Sequence, residues 1–119
     1  MLQKGHKAEL LACKYLQKNG FIVLDRNFAS RYGEIDIICN KNNTIIFIEV
    51  KSRSNVSFGM PYEYITPTKI KKLRRVIQYY ISKNNLLDKL FRFDVISIIL
   101  DVNDEVRDLK HFQNLQINL

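Results

Sequence analysis

The stretch from Gly33 to Lys51, GEIDIICNKNNTIIFIEVK, restricts what this chain can fold into more than any other. Residues 35–39 and 45–51 are dense in strand formers, and the polar Lys41-Asn42-Asn43 separates them. Asn tolerates positive φ, so Asn42-Asn43 makes a two-residue hairpin turn. That turn sets Lys41 opposite Thr44, and counting back sets Asp36 opposite Glu49 and Glu34 opposite Lys51. Opposed residues share a face, with Cβ atoms roughly 4.5–5.5 Å apart. Glu34, Asp36, Glu49 and Lys51 therefore gather on one side of the hairpin. Ile38 and Phe47 continue that face towards the turn, while Ile35, Ile37, Ile46, Ile48 and Val50 fill the other. A strand pair apolar on both faces needs cover on both, so the charges mark one end of a sheet that is buried elsewhere.

Two carboxylates about 4 Å apart repel by roughly 4 kcal/mol at an effective dielectric near 20. A divalent cation between Asp36 and Glu49 would turn that cost into binding energy. The ordinary reading is a solvated rim with a Glu34–Lys51 cross-strand ion pair, contributing under about 1 kcal/mol. Spacing alone leaves both readings open, because E-x-K is short and common.

At 119 residues the chain suits one domain, 1–119, with a single core. Its 19 Lys and Arg against 12 Asp and Glu give a formal charge of +7, which favours a polyanionic partner, nucleic acid first and an anionic membrane second. Cys13 and Cys39 are too few and too far apart for a disulfide framework or a zinc site, and read as buried thiols. His6 and His111 lack metal-ligand spacing and are expected at the surface. The N-terminal residues are broken by charges, and no apolar run is long enough to span a bilayer. A cytoplasmic protein with no membrane association is the expectation.

Residues 4–18 read as a helix, with Ala8, Leu11, Ala12, Tyr15 and Leu16 as its apolar stripe and Asn19-Gly20 as its stop. Glu9 lies at the border of that stripe and reads as a solvated helix carboxylate. A strand over 21–28 and a turn over 29–33 lead into the hairpin. The polar stretch 52–61 is long for a loop, and such loops are often functional or mobile. Thr66-Pro67 starts a helix over 67–84, with Ile70, Leu73, Ile77, Tyr80 and Ile81 as its buried stripe. Lys69, Lys71, Lys72, Arg74 and Arg75 crowd its first turns, where the helix dipole favours acids. Charge set against the dipole points to an external anion, or to no more than a solvated basic face. Asn84-Asn85 ends the helix and residues 91–100 form a long strand, so strand, helix and strand suggest a right-handed parallel crossover. Residues 101–105 read as a turn and 110–117 as a weak edge strand. The order is α-β-β-β-α-β(-β), an α/β fold with a mixed sheet and a helix on each face.

This order, with Asp36 on one strand and Glu49-Val50-Lys51 on the next, resembles the PD-(D/E)xK nuclease superfamily. Within it the chain is similar to the YraN-like family of small predicted endonucleases, related in fold to archaeal Holliday-junction resolvases. The resemblance runs from Gly5 to about Val95. It includes Gly5, Ala8-Glu9, Arg26-Asn27, Gly33-Glu34-Ile35-Asp36, Glu49-Val50-Lys51 with Arg53, Phe58-Gly59, Lys69 and Arg92-Phe93-Asp94-Val95. Ile35 stands where the superfamily has proline before the first acid, as is usual in the close family. Ala29 stands where an arginine often follows the Arg-Asn pair, and that removes one expected phosphate contact.

The resemblance implies a restriction-endonuclease-like αβββαβ core. It implies that Asp36, Glu49 and the main-chain carbonyl of Val50 hold Mg²⁺, or Mn²⁺ in its place, with Glu9 adding a ligand or orienting a water. Oxygen ligands suit so hard a cation. Lys51 would hold or deprotonate the attacking water and steady charge on the phosphate. Glu34 would support these groups from behind. Arg53 and Lys69 would contact the DNA backbone, and Lys72 and Arg75 join them on the basic helix face. The implied activity is a Mg²⁺-dependent endonuclease acting on branched or structured DNA, as a monomer or homodimer. A nucleic-acid-binding module on the same fold, without cleavage, and a ribonuclease are the alternatives.

Overall fold

The computed structural model describes residues 4–53 and 66–117. The hairpin forms as its turn chemistry requires. Asn42 and Asn43 take φ of 51° and 63°, and Lys41 pairs with Thr44. Its strands are β2 (Gly33–Lys41) and β3 (Thr44–Arg53). Before them come helix α1 (Lys4–Lys18) and strand β1 (Ile22–Ser30); after them come α2 (Pro67–Lys83), β4 (Leu90–Leu100) and β5 (Val106–Phe112). The sheet order is β1-β2-β3-β4-β5, with β3 and β4 parallel and the other neighbours antiparallel. This is the mixed sheet of a restriction-endonuclease-like α/β core. Most of the loop expected over 52–61, Phe58-Gly59 included, lies outside the described residues.

Each face of the sheet carries one helix. On the first, Ala8, Ala12, Cys13 and Leu16 of α1 pack on Ile37, Cys39, Ile46, Ile48, Ile96 and Ile98. On the second, Val76, Ile77, Tyr80 and Ile81 of α2 cover Ile38, Ile45, Phe47, Phe93 and Val95. Helix α2 is closed at both ends. Thr66 accepts a hydrogen bond from the Lys69 amide (3.2 Å) ahead of Pro67. At the other end Asn85 turns left-handed (φ 55°), and the Leu86 and Asn85 amides return to the Ile81 and Ser82 carbonyls. Both cysteines are buried and free, and burial pushes the Cys39 thiol up to about 12.

Several boundaries differ from the sequence expectation. Strand β1 runs on to Ser30, so the turn over 29–33 shrinks to Arg31-Tyr32. The last strand is Val106–Phe112, and residues 113–117 are not strand, although the Leu115 amide still donates to the Phe93 carbonyl at 2.8 Å. His111 is not a surface residue: its side chain is 5% exposed because it packs on the carboxylate of Asp94.

Asp94, on β4, is fully buried and has four donors. Arg92 reaches it with Nε (3.0 Å) and Nη2 (3.2 Å), His111 with Nε2 (2.8 Å), and the Asn114 amide (2.8 Å) completes the set. A carboxylate only accepts, so His111 presents Nε2–H to it and leaves Nδ1 for the Tyr15 hydroxyl at 2.9 Å. Burial raises the Asp94 pKa, but the bonds from His111, the Asn114 amide and Arg92 outweigh it and hold the carboxyl below its ordinary value. This network ties α1, β4, β5 and the chain after β5 together. Asp94→Ala would leave Arg92 and His111 without their buried acceptor, a loss of about 3–5 kcal/mol in urea denaturation. Asp108→Ala, which removes an exposed pair with Lys110, should stay within about 0.5 kcal/mol. Equal losses would contradict this account.

Candidate active site

The β2–β3 ladder does not reach the acidic residues. Its last described pair is Ile37–Ile48, so Asp36 and Glu49 are not opposed in register as the hairpin count predicted, nor are Glu34 and Lys51. The Val50 amide donates instead to Asp36 Oδ2 at 2.7 Å, and a side chain takes the place of the next strand carbonyl. N–H and C=O of one strand residue point to the same neighbour. The Val50 carbonyl therefore faces the same opening between β2 and β3.

A kink in β1 accompanies the opening. Arg26 pairs with Ile37 and Phe28 with Ile35, but Asn27, between them, has a left-handed φ of 51°. Residues two apart on a strand normally share a face. Here Ile37 lies under α1 while Ile35 and Phe28 lie under α2, so Ile35 is on the face opposite to the one expected. Asp36 sits at this change of face.

Charged groups on α1 and β3 act on Asp36. Glu49 and Lys51 leave β3 on the same face and form an ion pair, Nζ to Oε1 at 3.1 Å, so Lys51 is partnered by its own strand and not by Glu34. Glu9 is buried rather than solvated, because the small Ala8 and Ala12 let α1 settle close to the sheet. Its Oε1 is buried and has no hydrogen-bond partner among the described residues. Asp36 feels all of them. Desolvation, then the charges of Glu9 and Glu49, push its carboxyl up to about 6 against the lowering effects of the Val50 amide and Lys51.

This donor set fits Mg²⁺. Among the described residues no three histidine, cysteine or carboxylate side chains stand close enough to enclose an ion by themselves. Mg²⁺ does not require that, since it keeps several waters and is bound through one or two carboxylates and substrate phosphates. Asp36 and Glu49 would supply the carboxylates and Val50 a carbonyl, and the Glu9 oxygen could receive a water or the ion. A cation here would offset both the desolvation and the neighbouring negative charge that raise the Asp36 pKa.

On the α2 side the acids open into a cleft of about 200 Å³. Its lining includes Glu34, Asp36 and Glu49 on the strands and Lys69 and Lys72 on the helix. Tyr32, Leu73, Val76 and Phe93 complete much of the apolar wall, and none of these four stood out as a site residue in the sequence. Gly33 lies where the β1–β2 turn meets α2. Its φ is 137°, and a Cβ there would come within 3.2 Å of Val76 Cγ2. Two expected contact residues stand apart from the cleft wall: Arg75 is exposed on α2, and Arg53 ends β3, with Nη1 donating to the Ser52 carbonyl.

The raised Asp36 pKa has a measurable consequence. The folded chain holds this proton near pH 6 and an ordinary Asp near 3.8. The group therefore favours folding most at low pH, and that contribution is lost as pH rises from about 4 to about 6. Asp36→Asn removes the loss and can still accept from the Val50 amide. Relative to wild type without divalent ions, it should gain up to about 3 kcal/mol between pH 4 and pH 7, at 1.36 kcal/mol per unit. Denaturation curves at the two pH values check this. A pH-independent difference would show that the folded chain does not raise the pKa of this carboxyl.

Comparison with known sequences places these residues in a wider group. A sequence model of the uncharacterised protein family UPF0102 matches residues 8–98, a span that takes in Glu9, Asp36, Glu49, Lys51, Lys69 and Lys72. A UPF0102 protein of Caldicellulosiruptor saccharolyticus is 40% identical over 110 residues, covering 92% of this chain and 93% of the relative. One from Clostridioides difficile is 47% identical over 98 residues, covering 82% and 86%. One from Clostridium acetobutylicum is 41% identical over 110 residues, covering 92% and 90%. Their names specify a family and not a reaction. With matches that run through both strands of the hairpin, α2 and most of β4, the chain belongs to the UPF0102 family, the YraN-like group that its motifs resemble.

Proposed function

We propose that this protein is a Mg²⁺-dependent endonuclease that hydrolyses phosphodiester bonds in branched or otherwise structured DNA, with Mn²⁺ able to replace Mg²⁺. The observation that carries the reading is the Asp36 carboxylate, set in the opening between β2 and β3 against the Val50 amide, with Glu49, Lys51 and Glu9 acting on it. A solvated rim has no reason to bury the Glu9 oxygen unpaired or to push an aspartate to about 6. Such features cluster where charge is to be received.

Bound by Asp36, Glu49 and the Val50 carbonyl, Mg²⁺ would neutralise a phosphate oxygen and make the phosphorus more electrophilic. The residues of the chain do the rest. Lys69 and Lys72, on the helix wall of the cleft, hold the phosphates beside the acids. Lys51 Nζ, 3.1 Å from Glu49, donates to a non-bridging oxygen and steadies the charge that builds there. Glu9 accepts a hydrogen bond from a water on the α1 side. Glu34, exposed on the rim, lengthens the acidic wall.

Lys51→Ala separates cutting from binding. Cleavage of a branched DNA should fall by at least about 10²-fold, the scale for losing one such group. Affinity for the same DNA and the melting temperature should hardly move, since a rim ion pair contributes little. Wild-type cleavage by Lys51→Ala would remove the mechanism. Binding without cleavage by the wild type would leave a nucleic-acid-binding module, and preferred cutting of RNA would make it a ribonuclease.

Backbone contact has its own signature. The logarithm of DNA affinity should fall linearly with the logarithm of salt concentration, with a slope near 0.9 per neutralised phosphate. Replacing Lys69 and Lys72 with Ala should flatten that slope by about two, and adding Arg75→Ala by about one more. An unchanged slope would mean that the strand crosses another surface.

A further inference from the structure

We propose that the cleft beside Asp36 and Glu49 takes one unpaired nucleobase, stacked on Tyr32, so that the nucleic acid engaged here is single-stranded next to the phosphate at the acids. This rests on the nucleic-acid reading of the site and narrows its substrate.

The cleft has two chemistries. Its rim carries Lys69 and Lys72, one helical turn apart, and its wall is Tyr32, Leu73, Val76 and Phe93. Phosphate alone needs the first and has no use for the second. A nucleotide with its base extended has both parts, a negative backbone for the lysines and a flat, mostly apolar ring for the wall. The volume, about 200 Å³, is below the roughly 300–1,000 Å³ of pockets that engulf drug-sized ligands, so it suits one ring system with its sugar left at the mouth.

Tyr32 is held in place before any ligand arrives. It stands in the two-residue turn between β1 and β2, where its amide donates to Ser30 Oγ at 3.1 Å. Its hydroxyl accepts from Arg31 Nη2 at 2.7 Å, and its ring rests against Tyr79 with centroids 5.7 Å apart. The Arg31 guanidinium, 4.9 Å from the ring centre, adds positive charge beside the same ring. An ordered aromatic ring flanked by cations is the usual platform for unpaired bases, and it accepts any base because each has a π face. A base inside a duplex presents only its edge, and must leave the stack to enter such a cleft. The site therefore prefers nucleotides that are already unpaired, and it does so without reading sequence.

The test uses a single-stranded oligonucleotide containing 2-aminopurine and the same strand annealed to its complement, without divalent ions so that nothing is cut. The wild type should bind the single strand more tightly and change its 2-aminopurine fluorescence as the base stacks. Tyr32→Ala and Tyr32→Leu should weaken single-strand binding by about 5- to 150-fold while duplex affinity shifts by less than about twofold. Tyr32→Phe should behave as wild type. If Tyr32→Ala fails to fold, Tyr32→Leu, which keeps the bulk but not the flat ring, decides. Equal losses on both substrates, or wild-type binding by Tyr32→Leu, would overturn the inference. The outcome is independent of cleavage. A chain that binds in this way and cuts nothing keeps its base site and loses the nuclease assignment, whereas a chain that cuts fully paired DNA regardless of Tyr32 does the reverse.

Discussion

The hydrogen bond from the Val50 amide to the Asp36 carboxylate is the contact on which the site depends. A side chain here ends a ladder that the two strands could otherwise continue, and so holds β2 and β3 apart where the acids lie. On the far side β3 stays paired with parallel β4 from Thr44 to Arg53, so Glu49 and Lys51 are fixed on a strand that cannot follow β2 away. The opening is thus wedged between a kinked edge pair and a rigid centre. Desolvation first, and then the charges of Glu9 and Glu49, raise the Asp36 pKa there.

Two aspartates in this fold, Asp94 buried and Asp36 half-buried, are treated in opposite ways. Asp94 is surrounded by Arg92, His111 and a backbone amide, and its pKa is depressed although it is fully buried. Among the described residues Asp36 has one backbone donor, Lys51 and two neighbouring acids, and desolvation with the acids raises its pKa. The first environment completes a charge; the second leaves one incomplete. Satisfied buried ions specify a fold, and unsatisfied ones mark where something else is to bind. This contrast supports placing function at Asp36 and structure at Asp94, although both are single aspartates on apolar strands.

Much of this was legible in the sequence because it is local. Asn42-Asn43 sets the hairpin register, Thr66-Pro67 and Asn84-Asn85 bound α2, and the Ala8–Leu16 stripe describes α1. What was not legible depends on partners distant in the chain. Ile35 lies on the other face, paired with Phe28 next to the left-handed Asn27, and nothing in the run Gly33-Glu34-Ile35-Asp36 announces it. The burial of Glu9 follows from how closely two alanines let α1 approach the sheet. His111 is drawn inside by Asp94, and β5 pairs as a strand although Arg107, Asp108 and Lys110 give it a polar composition. Tyr32 reads as one turn residue among several until α2 folds over it and makes a wall of the cleft.

Calorimetric titration with Mg²⁺ decides whether this incomplete charge receives a metal. The wild type should bind near neutral pH and lose affinity below about pH 6, because the ligand carboxylates must be deprotonated. Asp36→Asn and Glu49→Gln, both folded, should each bind at least about tenfold more weakly. Equal affinity in wild type and both variants would place the metal elsewhere and leave the charged cluster as a rim.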